Sequence, residues 1–218
     1  MMSKLKLLFA MLIISQVALA EDVATFYAGY QTSPHSKVTG TDNDGNPFAF
    51  TAEWEGRSVT QQPPYYGLRY TRWYDDNTGL SLDFTHSKVY ASDATLKETG
   101  FGTLEFSDGL NTLTLGYMKR YPSSNYTPYW GVGAGITVPS VEIQTKATAQ
   151  KTHEFQLGGY GVQGLFGFEK AFNKKWKWFL EYKMNYTELD VKIKGGGNLK
   201  TNIVANQINL GINYTLFK

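Results

Sequence analysis

The 218-residue chain contains no cysteine, which excludes disulfide staples, thiolate-bound zinc, iron–sulfur clusters and cysteine nucleophiles. It has little net charge. The formal balance is +2, and setting aside Lys4 and Lys6 of the N-terminal segment brings it to zero. A neutral chain does not suit nucleic acid, because phosphate backbones are bound by an excess of Lys and Arg. Beyond the N-terminus no apolar run approaches the roughly 18 residues expected of a membrane-crossing helix.

What is present points to strands. The start, MMSKLKLLFAMLIISQVALA, joins two lysines to a short apolar run and an Ala18-Leu19-Ala20 site. It reads as a secretory signal peptide over residues 1–20, cleaved after Ala20, which leaves 21–218 as one domain. That remainder is rich in Gly (22), Tyr (15) and Phe (13) across the chain. Its apolar residues recur every second position. In WKWFLEYKMNY, Trp176, Trp178, Leu180, Tyr182, Met184 and Tyr186 share one face, and Lys177, Phe179, Glu181, Lys183 and Asn185 share the other. The same alternation marks seven further segments, beginning near residues 24, 65, 79, 111, 129, 156 and 206.

Short polar turns at 75–78, 121–126 and 173–175 alternate with long connections at about 36–62, 91–109, 140–154 and 188–201. This rhythm predicts an all-β, eight-stranded antiparallel transmembrane barrel with short periplasmic turns and long extracellular loops, in a bacterial outer membrane. The alternation puts Arg69, Asp83, Gln163, Glu169, Glu181, Lys183 and Asn209 inside, where opposite charges should pair in a barrel too narrow for water. Phe217 falls on the inward parity, whereas barrels of this class generally end on an outward-facing Phe.

The three histidines, His35, His86 and His153, all fall near the outer strand ends, beside carboxylates such as Glu105, Asp108 and Glu142. Histidine with carboxylate can bind a metal or act as general acid and base. Strict alternation along LDFTHSKVY points His86 and Lys88 outward; a β-bulge near Thr85 would turn them inward, toward Glu105 and Asp108. GYGVQG (159–164) matches a dinucleotide-binding spacing, but no helix follows it, and small residues on an inner barrel wall explain it better.

Taken in order, GYQTSPHS, WEGRS, PPYYGLRYT, LDFTHSKVYA, GFGTLEFSDGLNTLT, PYWGVGAGI with PSVE, and FLEYK resemble the outer-membrane lipid A oxidase family of Gram-negative bacteria over about residues 28–214. The resemblance implies oxygen-dependent oxidation of the proximal glucosamine of lipid A to 2-aminogluconate. It implies a rim site of His35, Trp54, Glu55, Tyr66, Arg69, His86, Lys88, Glu105, Asp108 and Glu142. His35, His86, Glu105, Asp108 and Glu142 would be catalytic. Trp54, Glu55, Arg57, Tyr66, Arg69 and Lys88 would hold substrate, the cations against lipid A phosphates.

No flavin, nicotinamide or haem motif is present, so oxygen chemistry calls for a divalent metal ion. His35 and His86 with one carboxylate, Glu105 first, are the expected ligands. The expected partner is lipopolysaccharide of the outer leaflet, and the barrel is expected to be a monomer. One departure stands out: Ser140 occupies a position where the family often carries histidine before the Glu142 position. Alternative readings are a lipid A deacylase, or a non-catalytic barrel serving surface stability, adhesion or small-molecule passage.

Overall fold

The computed structural model describes residues 20–56, 65–146 and 150–217. The signal-peptide reading of residues 1–20 and the substrate role of Arg57 fall essentially outside them. No helix among the described residues is long and apolar enough to cross a membrane; the crossing is made by strands.

Eight strands form the ring: β1 (Glu21–Thr32), β5 (Tyr66–Trp73), β6 (Thr78–Ala91), β7 (Phe101–Arg120), β8 (Thr127–Thr145), β10 (Gly159–Ala171), β11 (Trp176–Ile193) and β12 (Gly197–Phe217). Each pairs antiparallel with the next, and β1 pairs with β12 to close the ring, which removes every edge within the hydrocarbon. Four short strands build upward from it. β2 (Ser36–Thr41) adds to β12 and β3 (Pro47–Ala52) adds to β2; β4 (Trp54–Gly56) pairs with β6, and β9 (Thr152–Phe155) with β8. A seven-residue helix, α1 (Asp93–Thr99), is capped by Ser92, whose hydroxyl accepts from the Thr95 N–H, and closed by Gly100 at φ 75°.

The connections expected to be long loops are therefore largely strand. β7, β8, β11 and β12 run 20, 19, 18 and 21 residues, about twice the 9–11 needed to cross a bilayer. Their chemistry shows where they leave it. Along β11 the outward residues change from Leu180, Tyr182, Met184 and Tyr186 to Glu188, Asp190 and Lys192. The inward ones change over the same step, from Glu181, Lys183, Asn185 and Thr187 to Leu189, Val191 and Ile193. β12 repeats the exchange, with Ile208 and Leu210 outward below and Lys200 and Asn202 outward above. Below the exchange the outer wall is apolar and bare: Leu115 is 71%, Leu210 63% and Phe166 61% exposed. Such a belt belongs in lipid.

Two cores result. Above the belt, Val38, Trp54, Phe106, Val141, Val191 and Leu199 belong to a buried apolar cluster that fills the upper barrel. Within the belt the interior is a charge network. The Arg69 guanidinium donates to both oxygens of Glu181 at 2.8 Å and, through Nε, to Asp83 at 2.8 Å. The Lys183 ammonium donates to Thr85 (2.8 Å), to Asp83 (3.3 Å) and to the Tyr27 hydroxyl. Tyr129 and Asn209 also donate to the Glu181 oxygens and Gln163 to Asp83 Oδ2, while the Tyr27 hydroxyl donates to Asp83 Oδ1 at 2.6 Å. Two cations thus face two anions in a buried interior. The void beside Arg69, Glu169 and Asn213 is only about 10 Å³, room for one water.

Arg69 therefore does not reach lipid phosphate as the resemblance implied; its inward parity seals it in the wall's interior. Glu181, placed inside by the same alternation, is likewise fully buried. Removing one partner of a buried ion network strands the others. Arg69→Met is expected to lower unfolding free energy by about 3–5 kcal/mol, read by urea titration of the barrel in detergent micelles. Arg69→Met/Glu181→Met together should recover part of that loss. A single variant within about 1 kcal/mol of wild type would refute the network's role.

Candidate functional site

The site forms where three neighbouring strands pass out of the apolar belt. β6 and β7 pair regularly up to Ser87–Leu110, then resume at Val89–Phe106, so residues 107–109 bulge from β7. β8 continues straight past the bulge, with Leu110 opposite Pro139 below and Glu105 opposite Glu142 above. Gly109 makes the bulge possible. Its φ is 120°, and a Cβ there would lie 2.5 Å from the His86 ring, so only glycine fits.

The direction of His86 follows from the register. It pairs with Tyr66 on β5 and Asn111 on β7, in the outward row that carries Leu82, Phe84 and Leu113 below. Its side chain points outward, the bulge lying beyond it and on the neighbouring strand. The ring packs on Tyr66 with centroids 4.8 Å apart, and Nδ1 lies 2.7 Å from the Asn111 carbonyl oxygen. The Asn111 amide nitrogen faces two backbone carbonyls, which fixes its oxygen toward His86. Nδ1 then carries the proton, leaving Nε2 as a free base.

Above His86 the outward row becomes polar. Asp108 stands exposed on the bulge. Glu142 on β8 is buried by its neighbours, accepting from Ser107 and, at 2.8 Å, from the Lys151 ammonium. His153, brought by β9 into register with Glu142, places Nε2 2.9 Å from Asp108 and 3.6 Å from Glu142. Lys88 is buried close enough to interact with both carboxylates, and Glu105 shares the outward face of β7. One ligand atom each from Asp108, Glu142 and His153 lies within 4.8 Å of the other two.

The electrostatics hold the acids ionised. The His153 hydrogen bond is the largest influence on Asp108 and holds its carboxyl below the usual range. Burial works to raise Glu142, but hydrogen bonds from Lys151 and Ser107 outweigh it and lower its pKa as well.

Of the residues expected at the rim, Tyr66, His86, Lys88, Glu105, Asp108 and Glu142 gather on this outward patch. Three others stand elsewhere. His35 is exposed between β1 and β2, and β2 lies against β12, three strands around the ring from β6, so it does not join His86 as a metal ligand. Trp54 is buried in the upper core, packed against Phe106 at 6.1 Å with its indole N–H on Ser36, and presents no surface to a substrate. Glu55 is exposed on β4, opposite Tyr90.

Sequence reading did not select Ser107, Asn111 or Lys151, and it noted His153 without placing it in the site. What would have found His153 is the β8–β9 pairing across 140–155. Ser140 sits on the same outward face as Glu142, buried beneath the bulge, its hydroxyl without a hydrogen-bond partner.

These shifts predict how the β9 hairpin responds to acid. A carboxylate whose folded pKa is depressed contributes stability above its ordinary value, about 4.5 for Glu142, and loses it as pH falls through the lower folded value. Hydrogen exchange of the Thr152–Phe155 amides, corrected for intrinsic rate, should be pH-independent above that value and accelerate below it. Lys151→Met should flatten the response; an unchanged response would remove the Glu142–Lys151 pair as its cause.

No protein-family model matches the chain, and no curated protein does. Among solved structures, the outer-membrane protein AlkL, determined in lipid bilayers, superposes at a TM-score of 0.50 with 12% identity, covering 92% of each chain. Neisserial surface protein A superposes at 0.49 with 12% identity, over 90% of this chain and 99% of its own. The attachment protein Ail of Yersinia pestis does so at 0.38 with 9% identity, over 87% and 98%. At this identity the likeness to AlkL concerns the fold alone: the chain is an eight-stranded barrel of the outer-membrane type, and its apolar belt sets it in that membrane.

Proposed function

We propose that this barrel modifies the headgroup of an outer-leaflet glycolipid, by oxidising the proximal glucosamine of lipid A to 2-aminogluconate with molecular oxygen. The observation that carries the reading is the position of the cluster. His86, Asp108, Glu142 and His153 face out of the barrel, one step above the apolar belt, where only a lipid headgroup is a permanent neighbour. The interior below is closed by its ion network, which leaves no support for small-molecule passage.

The chemistry divides among these residues. The reaction removes the C1 hydroxyl proton and a hydride equivalent from C1, giving a lactone while oxygen becomes hydrogen peroxide. Water then opens the lactone, for a net gain of one oxygen atom. His86 Nε2 and the ionised carboxylates are suitable proton acceptors. Asp108, Glu142 and His153, rather than the expected set of His35, His86 and Glu105, would hold a first-row divalent metal, whose chemistry there is to pass electrons to oxygen. Their donor separations of 2.9 and 3.6 Å suit neighbouring ligands of one ion. Tyr66 offers a flat wall beside His86 for a sugar ring.

A deacylase would need a serine activated by histidine. Ser107 donates to Glu142 and Ser140 has no partner, so no such couple is assembled among the described residues.

Mass spectrometry of lipid A from cells expressing the chain, with and without oxygen, tests the reading. Oxygen-dependent gain of one oxygen atom is expected; an unchanged lipid would refute oxidation, and loss of an acyl chain would replace it with hydrolysis. Glu142→Gln and His86→Gln are each expected to cut the oxidised fraction about 100-fold, the scale of a lost acid–base group. Full conversion by both would remove the cluster from the chemistry.

A further inference from the structure

The upper wall of the barrel has a seam. β10 begins only at Gly159, so above it β9, paired with β8, stands beside the top of β11, paired with β12, without a ladder between them. Side chains stitch the gap instead. Gln156 donates to the Lys192 carbonyl at 2.9 Å and accepts from the Lys192 N–H at 2.8 Å; the Thr152 hydroxyl accepts from the Lys194 N–H at 2.8 Å. Asn43, from the β2–β3 turn, holds the Lys194 carbonyl at 2.8 Å. The seam opens into a recess of about 470 Å³ whose charged lining is Lys151, His153, Glu154, Lys192 and Lys194.

Three ammonium groups against one carboxylate make this a cationic pocket. Lys151 already serves Glu142. Lys192 and Lys194 make no ion pair among the described residues, so two positive charges stand uncommitted. Directly below, Phe155 (60% exposed) and Leu157 (73%) lead into the apolar belt. An acyl chain lying on that slope would carry its headgroup to the pocket's mouth, and His153 lines both the pocket and the acidic cluster.

We propose that this pocket binds a phosphate substituent of the outer-leaflet glycolipid and so fixes the register of the sugar at the cluster. The proposal rests on the lipid A reading. It also says which phosphate is meant: oxidation at C1 requires a free hydroxyl there, so the bound group is carried by the distal sugar. The cations expected for this task were Arg69, Lys88 and Arg57; Arg69 is sealed in the core, and Lys192 and Lys194 take its place.

The test measures binding without turnover. The full chain in detergent micelles, kept anaerobic, is titrated with lipid A carrying one phosphate, on its distal sugar, and a free C1 hydroxyl, and with the same lipid after removal of that phosphate. Wild type should prefer the phosphorylated lipid, and Lys192→Gln/Lys194→Gln should weaken that lipid alone by about tenfold or more, as loss of charge-assisted hydrogen bonds implies. Equal affinity of wild type and variant, or an equal loss for the dephosphorylated lipid, would overturn the pocket. Displacement of the lipid by millimolar inorganic phosphate would show a free-anion site and overturn the lipid assignment. Lys174→Gln/Lys175→Gln, at the opposite end of the barrel, is the control and should bind as wild type does. Phosphate-dependent binding by a chain that never oxidises lipid A would sustain the pocket while refuting the oxidase; oxidation undiminished in the lysine variant would do the reverse.

Discussion

A strand that passes from hydrocarbon into water must reverse its chemistry without reversing its pleat. Side chains keep alternating at a period of two, so the same row that shows Met184 and Tyr186 to lipid must show Glu188 and Lys192 to water. The opposite row changes in step, from Glu181 and Lys183 to Leu189 and Val191. Much of the structure follows from that boundary. It creates a charged core below and an apolar core above, and both are saturated. Arg69, Lys183, Asp83 and Glu181 satisfy one another in the first. Trp54, Phe106 and their neighbours fill the second. Chemistry that needs an approachable polar group has only the outer wall left.

The boundary also explains what could be read from sequence. Alternation inside the membrane is legible because one face is continuously apolar, and it places the eight ring strands and the inward charges. Above the boundary the alternation persists with its faces exchanged, as in DVKIKG (190–195). With polar residues where grease had been, such stretches resemble loops, so the expected loop at 188–201 is in fact a β-hairpin turning at about residues 194–196. Where parity and resemblance disagreed, parity was the better guide. Arg69 falls on the inward row of YYGLRYTRWY, and it lies inside.

The bulge marks the limit of such reading. Alternation pointed His86 outward, and a bulge at one residue or the next would have turned it over. The insertion falls instead on β7, at Ser107–Gly109, and its cause is local: Gly109 alone allows the chain to pass so close to the His86 ring at positive φ. Asp108 is thereby carried to the outer face. Neither spacing nor composition shows that His153 comes to meet it, because this depends on β9 folding back on β8 across residues whose register no single segment specifies.

That fold-back bears on the serine at 140. Ser140 and Glu142 share the outward face of β8, and Ser140 is buried beneath the bulge. Here the imidazole arrives from the adjoining strand, with His153 in register with Glu142 and hydrogen-bonded to Asp108. An imidazole between two carboxylates is thus supplied by the adjoining strand, and the hydroxyl at 140 is left buried without a partner. Approach from β9 also has a consequence that a residue on β8 would lack. His153 lies on the short strand that forms one side of the lysine-lined seam, laddered to β8 and stitched to the end of β11 through Thr152, so the seam and the cluster share one support. The bonds that fix the seam therefore also hold His153 against Asp108 and Glu142.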